Sequence, residues 1–340
     1  MSTDRDYWNS CRFNSSTSGT QRGHYESWFQ RANHPTRALA FWIRYTIFCP
    51  SDPSAPPEGE LWAVYFNGES KKVTAVKQEF ELADCEFSTC KLAHRIGSSL
   101  LDQSSLHGQA TGQSHSIKWD LQYTSPQPPL LFLPKSLYET KLPAAKSVVG
   151  SPLSRFTGTL EVDGETINIE NWLGSQNHNW GTKHTDEYAW GQVSGFDNDQ
   201  DIFLELITAR VKIGPKFLGL RSPWMTLAVL RVDGEEFAFN SIVQSLKAHA
   251  HYEQFAWSFR SQTRNCTIEG TIAASPQAFV ALPYRNPPGG QKLCLNSKIA
   301  ACTLQFQKSG QPPRKLVAQN RAAFEILTTD NQHDVPVLRT

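Results

Sequence analysis

Three dipeptides, Asn67-Gly68, Asp163-Gly164 and Asp233-Gly234, each sit between short runs rich in apolar and β-branched residues. Asn-Gly and Asp-Gly enter the left-handed backbone region easily. The tight turn they form has the twist that two antiparallel strands need. The runs flanking them, 60–66 with 72–82, 156–169 around its central turn, and 224–239 around its own, are therefore predicted hairpins. Further strand-like runs cover 39–48, 116–123, 202–212, 255–275, 293–307 and 322–328. In 39–48, Phe41, Ile43, Tyr45 and Ile47 fall on one face and Trp42, Arg44, Thr46 and Phe48 on the other. Such a strand is buried on both sides or faces a cavity on one. Long amphipathic helices are scarce, and 135–140 is a short helical candidate. Many short strands with turn signals between them define an all-β sandwich or barrel chain.

The chain has 340 residues, enough for two domains. Residues 130–147 read as the connection between two halves, and 102–116, rich in Gly, Ser, Gln and His, as an exposed loop. The Ser/Thr/Asn-rich residues 1–22 read as disordered. Lys and Arg number 33 against 32 Asp and Glu, a net charge of +1 that offers no electrostatic case for nucleic acid or an anionic membrane. The 10 Trp and 19 Phe against 2 Met favour rigid aromatic walls. Seven cysteines without a C-x-x-C pair suit reduced, packing thiols. The N-terminus carries no secretory signal, and no apolar run reaches transmembrane length. The expectation is a soluble, cytoplasmic protein.

The densest chemistry lies between Gly174 and Gly191. If this stretch is extended, Gln176, His178 and Trp180 share one face, and Asn177 and Asn179 the other. One reading makes His178 a proton donor or relay, oriented by Asn177 and Asn179, with Trp180 against an apolar ligand. The other makes the carboxamides ties in a tight corner before Gly181. Tyr188 and Trp190 form an alternating face with Gln192, either a pocket wall or ordinary core. Glu205, between Phe203 and Ile207, is a desolvated general acid or the partner of Arg44 or Arg210. Glu26, sharing a face with Trp28 and Gln30, is an acid or ligand anchor, or else a structural partner of Arg44. Lys298, alone in an uncharged run, is an anchor for a ligand carboxylate or a snorkelling surface lysine. The pairs His178/His184 and His249/His251 lack a third ligand at a usual spacing, so no metal is expected. No G-x-S-x-G elbow, phosphate loop or dinucleotide fingerprint occurs, and no cofactor is expected.

Gly23-His24-Tyr25-Glu26-Ser27-Trp28 with Ala40-Phe41-Trp42-Ile43-Arg44-Tyr45 resembles the first strands of the AttH-like and carotenoid hydratase (hydroxyneurosporene synthase) superfamily. Asn177-His178-Asn179-Trp180-Gly181 and Trp190-Gly191 resemble its central signature. Tocopherol cyclases and the lipocalin-like Diels–Alderases of fungal polyketide pathways belong to the same broad group. The resemblance implies two consecutive lipocalin-like antiparallel barrels, over 23–150 and 151–340, with an apolar ligand pocket in or between them. It also implies Trp28 packed on Arg44 near a barrel floor. In the carotenoid hydratases an acidic residue usually stands where this chain has Asn177. A carboxamide cannot protonate an alkene, which leaves Glu205 or Glu26 as the reserve acid. The implied function is cofactor-independent cyclisation, hydration or isomerisation of an isoprenoid or polyketide-like molecule, lyase or isomerase chemistry. The alternatives are a non-catalytic carrier of a lipophilic metabolite and a scaffold whose halves simply pack together.

Overall fold

A computed structural model of the chain describes residues 4–13, 22–212, 220–330 and 332–338. Two large antiparallel sheets dominate it. The first holds β1 (His24–Asn33), β2 (Leu39–Cys49), β3 (Glu58–Asn67), β4 (Lys72–Glu81), β5 (Cys85–Phe87), β6 (Ala93–Ile96), β7 (Ser99–Asp102), β8 (Ser105–Thr111), β9 (Ser116–Thr124), β10 (Leu130–Leu131), β11 (Ala145–Val162) and β12 (Glu165–Gly181). Its order is β4-β3-β2-β1-β12-β11-β9-β8-β7-β6-β5, with β10 on β11. The sheet curls until β4 approaches β8, where the Thr111 amide donates to Gln78 Oε1 at 3.0 Å.

The second sheet holds β13 (Glu187–Phe196), β14 (Asp199–Arg210), β15 (Met225–Val232), β16 (Glu235–Phe239), β17 (His249–Glu253), β18 (Ala256–Gln262), β19 (Cys266–Ala273), β20 (Val280–Arg285), β21 (Gln291–Lys308) and β22 (Arg314–Thr328). Its order is β16-β15-β14-β13-β22-β21-β19-β18-β17, with β20 on β21. A short helix, Ile242–Lys247, with a capping box between Ser241 and Gln244, lies against β15 and β18.

The two Asp-Gly turns form as their chemistry requires, whereas the Asn67-Gly68 connection is a longer loop whose left-handed residue is Lys71. Asp163 and Gly164 have φ of 52° and 87°, and Asp233 and Gly234 of 53° and 77°, both central residues left-handed. Three expectations change. Residues 105–111 pair as β8 instead of forming a loop. Residues 135–138 make one 3-10 turn, and 145–181 continue the first sheet as β11 and β12. Strand pairing thus passes from one sheet to the other between Gly181 and Glu187, beyond the expected break near residue 150. Finally, residues 4–13, expected to be disordered, are packed: Asp4–Asn9 form a helix over β11, and Trp8, Asn9, Ser10, Cys11 and Phe13 are buried. Residues 1–3 and 14–21 of that expectation lie outside the described residues.

Each sheet encloses its own core. The first is walled by Trp28, Phe41, Tyr45, Trp119, Phe156 and Trp172. Its buried polar tips are satisfied in a chain: Trp119 Nε1 donates to the Tyr45 hydroxyl at 3.0 Å, which donates to the Leu100 carbonyl at 2.9 Å. A third apolar cluster, with Phe29, Trp42, Trp62, Trp190, Tyr284 and Leu327, joins the outer faces of the two sheets. β1, β2 and β12 from Trp172 to His178 are therefore buried on both faces. Trp28 faces the first core and Arg44 the seam between the sheets, so the expected Trp28–Arg44 pair does not form; Arg44 lies over Tyr284, 4.7 Å from its ring centre. Among the described residues no helix is long and apolar enough to cross a membrane.

Candidate active site

β1 and β12 are neighbours in the first sheet, with Trp28 opposite His178, Glu26 opposite Trp180 and Gln30 opposite Gln176. Alternation sends these six inward and the residues between them outward, to the seam. Glu26 and His178 stand diagonally across the pair, close enough for their side chains to meet. His178 Nε2 lies 2.8 Å from Glu26 Oε1, and both side chains are fully buried. Trp28 stacks on the His178 ring at 4.8 Å, and Trp180 covers it at 4.6 Å.

The remaining partners of this pair come from the N-terminal segment. The Trp8 carbonyl accepts from His178 Nδ1 at 2.7 Å. The Arg12 amide donates to both carboxylate oxygens of Glu26, at 2.7 and 3.0 Å, and the Phe13 amide donates to Oε2 at 2.9 Å. His24 Nε2 stands 3.0 Å from Oε2. Asn9 and Gln176 exchange two amide hydrogen bonds at 2.8 and 3.0 Å, and Trp28 Nε1 donates to the Asn9 carbonyl at 2.9 Å. The Asn9–Gln176 pair fits because position 150 is glycine; a Cβ there would lie 2.2 Å from Gln176 Oε1.

Donor counting fixes the protons. The Trp8 carbonyl only accepts, so Nδ1 of His178 carries a hydrogen. A hydrogen then also lies between Nε2 and Glu26, either on an imidazolium facing a carboxylate or on a carboxylic acid facing a neutral ring. In both cases the pair holds one proton more than a neutral imidazole beside a carboxylate. Burial alone would raise the pKa of Glu26, but the hydrogen bonds from His178 and His24 outweigh it and hold it down to about 2. One neighbouring group has hydrogen-bonding capacity left over: Gln30 makes no hydrogen bond at either amide atom. His94, 3.9 Å from Trp28, meets the Ala93 and Asn9 backbone. Burial, partly offset by Glu26, pushes the His94 pKa down to about 3.

The other expected site residues lie on the seam. Asn177 and Asn179 do not orient His178, because they point away from it. Asn177 donates to the Ser175 hydroxyl at 2.9 Å and accepts from Gln192 Nε2 at 2.8 Å. Glu205 faces Trp190 and Gln192, accepting from Trp190 Nε1 at 2.8 Å and Gln192 Nε2 at 2.6 Å. Neither suggested arginine reaches it: Arg210 bonds Glu187 at 2.7 Å and Arg44 lies over Tyr284. Its cationic neighbour is Arg31, which bonds Gln192 Oε1 at 2.6 Å and Ser194 at 3.1 Å. Burial raises the Glu205 pKa to about 7 against the pull of those bonds, and burial also lowers that of Arg31 to about 9. Lys298 is neither a surface residue nor free for a ligand; it is fully buried against Glu325 at 2.7 Å and Asn296 at 2.6 Å. Tyr188 packs against the seam cluster beside Trp190.

Sequence reasoning passed over Arg31, Glu325 and His94. The first two carry a signal: each is a single charge in an otherwise uncharged strand stretch, as Lys298 is. A carboxylate group that it also passed over, Glu58, Glu60 and Glu79, converges closely enough to suit a metal, but Lys77 and Arg285 already form ion pairs with it. His184, apart from His178, is stacked on Tyr25 at 4.1 Å. His249 and His251 border an open groove of about 580 Å³ on the second sheet, away from both clusters.

No family model matches the chain. Two uncharacterized proteins of Mycobacterium tuberculosis strains are each 23% identical over 283 residues, covering 82% of this chain and 80% of theirs. Among solved structures, a candidate AttH of Nitrosomonas europaea superposes with a TM-score of 0.58 at 14% identity, covering 94% of this chain and 96% of that one. Kievitone hydratase of Nectria haematococca gives 0.51 at 11% identity, covering 95% and 98%. CghA gives 0.52 at 12% identity, covering 96% and 98%. The architecture and these likenesses agree: the chain has the tandem lipocalin-like fold of the AttH-like proteins, the group that its Asn177–Gly181 and Trp190-Gly191 motifs resemble.

Proposed function

We propose that the chain protonates an apolar, isoprenoid or polyketide-like molecule inside the first sheet, leading to hydration or cyclisation, with Glu26 and His178 as the proton-donating pair. The observation that carries this reading is the 2.8 Å contact between two fully buried groups that can pass a proton between them. An acid is missing at Asn177, next to His178 in sequence; Glu26 brings a carboxylate to the same ring from the adjacent strand. A kinship of fold with a hydratase is consistent with this chemistry. In a hydration, the pair's proton adds to one alkene carbon and water supplies hydroxide to the other. In a cyclisation, an internal double bond captures the cation and a proton leaves again, so mass is conserved. Trp28 and Trp180, stacked around His178, would face the developing cation.

Native mass spectrometry of protein from its own host would identify a co-purifying metabolite, and incubation would then reveal a gain of one water or an isomer. Glu26→Gln should lower turnover by about 10²- to 10⁴-fold while binding is retained. Unchanged turnover in Glu26→Gln would remove the pair from the mechanism. A metabolite bound by wild type and His178→Ala alike, and converted by neither, would make the protein a carrier.

A further inference from the structure

We propose that Trp8–Phe13 is a displaceable plug, an autoinhibitory segment that occupies the ligand position over Glu26 and His178 and must withdraw before the site can be used. The proposal rests on the functional reading above in one respect only, that the interior of the first sheet is the place of binding.

The segment reaches the centre of the site. It supplies the Trp8 carbonyl to His178, the Arg12 and Phe13 amides to Glu26, and the Asn9 amide to Gln176. Phe13 lies parallel to the His24 ring at 5.6 Å, and Trp8 meets Tyr138 edge-on at 5.0 Å. Each contact is of a kind that a small molecule can make: an acceptor at the imidazole, a donor at the carboxylate, and flat apolar groups on either side. A ligand with a carbonyl and a hydroxyl on one edge of an aromatic or polyene frame reproduces that pattern.

The segment is also attached differently from the rest of the interior. Residues 4–13 add no strand to either sheet. Outside the site they are held by the burial of Trp8 against Tyr138 and Val148 and by hydrogen bonds. Arg5 donates to the Gly150 and Gln127 carbonyls at 3.2 and 2.7 Å, the Cys11 amide donates to the Ser88 carbonyl at 2.9 Å, and Gln103 bonds Asp6. Beside the plug, Gln30 is buried with both amide atoms unsatisfied by it. A buried polar group without a partner is costly, and native sites that tolerate one commonly reserve it for a ligand or water. The plug fits the site incompletely, as a stand-in does.

The test needs no substrate. Cys11 is buried inside the plug, and burial together with the Glu26 carboxylate raises its thiol pKa, so it is unreactive while the plug is seated. Iodoacetamide alkylation of Cys11 and diethyl pyrocarbonate modification of His178 are read by peptide mass mapping. Cys302, buried on β21, serves as the global-unfolding control. In the full chain, both sites should react faster than Cys302. Arg5→Ala, which removes two outer anchors, should speed both by about tenfold. Deuterium exchange of the wild type is the second measurement: the Arg12 and Phe13 amides should exchange about a hundredfold faster than the amides of β12. Two results would overturn the plug. One is Cys11 and His178 reacting only in step with Cys302, with exchange as slow as in β12. The other is Cys11 reacting while His178 stays protected, meaning that the segment frays without opening the site. Failure of the functional reading would look different, as an opening site with no turnover.

Discussion

Glu26 and Glu205 are both fully buried glutamates in this β-rich molecule, and their protons behave in opposite ways. Glu26, inside the first sheet, is held down to about 2, while Glu205, on the seam, is pushed up to about 7. Burial acts alike on both. The difference is in the donors: Glu26 meets two histidines and two backbone amides, whereas Glu205 meets one indole and one carboxamide, with Arg31 held off behind Gln192. On the seam, Arg31, Asn33, Asn177, Gln192, Lys298 and Glu325 form a network that leaves none of its own polar atoms unpaired, although Trp42, Arg44 and Asn179 beside it keep one each; in the interior site the whole amide of Gln30 is unpaired. A satisfied network held by five strands reads as a joint between the sheets. A site with unmet polar atoms and a detachable partner reads as a place for chemistry.

The largest expected contrast comes from removing the two carboxylates in turn. Glu26→Ala strands two imidazoles and two amides, and should cost about 3–5 kcal/mol in urea unfolding. Glu205→Gln at pH 8 removes a charge that burial disfavours, and should change stability by no more than about 1 kcal/mol, or raise it. Equal losses would erase the distinction between the two regions.

The pH dependence of stability follows next. The Glu26 pKa falls on folding, so its contribution is complete above the ordinary value of 4.5 and lost as the pH drops from there towards 2. The Glu205 pKa rises on folding, so its contribution is complete below 4.5 and lost as the pH climbs from there through about 7. Each is worth up to about 3 kcal/mol. Urea midpoints across this range should decline on both sides in wild type, and Glu205→Gln should flatten the alkaline side alone. Retention of that decline would place its origin elsewhere.

A smaller effect is expected from Gly150→Ala. Its Cβ would collide with the Asn9–Gln176 pair, costing about 1–3 kcal/mol and accelerating exchange at Arg12 and Phe13. Seam amides such as that of Gln192 should not respond. The smallest is Gln30→Leu, expected to be neutral or stabilising by about 1 kcal/mol, because the amide it removes makes no hydrogen bond. A clear loss of stability would reveal a partner for Gln30 and weaken the contrast with the seam.

Local chemistry was legible in the sequence. The turns at Asp163-Gly164 and Asp233-Gly234, the double burial of β2, and the split of Gln176 and His178 from Asn177 all follow from φ preference and strand alternation over a few residues. Strand partnership was not. β1 and β12 meet across a long stretch of intervening chain, and nothing local to His178 announces that Glu26 stands beside it. The same gap placed Asn177 on the wrong task and gave Glu205 the wrong arginine. The N-terminal segment was misread for a different reason. Its overall polarity hid two apolar anchors, Trp8 and Phe13, whose burial against the first sheet outweighs the composition around them.

The alternation along β1 and β12 has an evolutionary corollary. In β1, and in β12 from Trp172 onward, the even-numbered positions face the interior and the odd-numbered ones the joint, as Glu26, Trp28, Gln176 and His178 differ from Arg31, Asn33, Ser175 and Asn177. Interior lining and architectural integrity are thus written on interleaved letters of one stretch of sequence. Point substitutions can reshape the interior at even positions while odd positions keep the two sheets docked. An insertion or deletion of a single codon in either strand would exchange the two alphabets at once. Descendants of such a chain should diversify through substitution there, and accept length changes only in the turns.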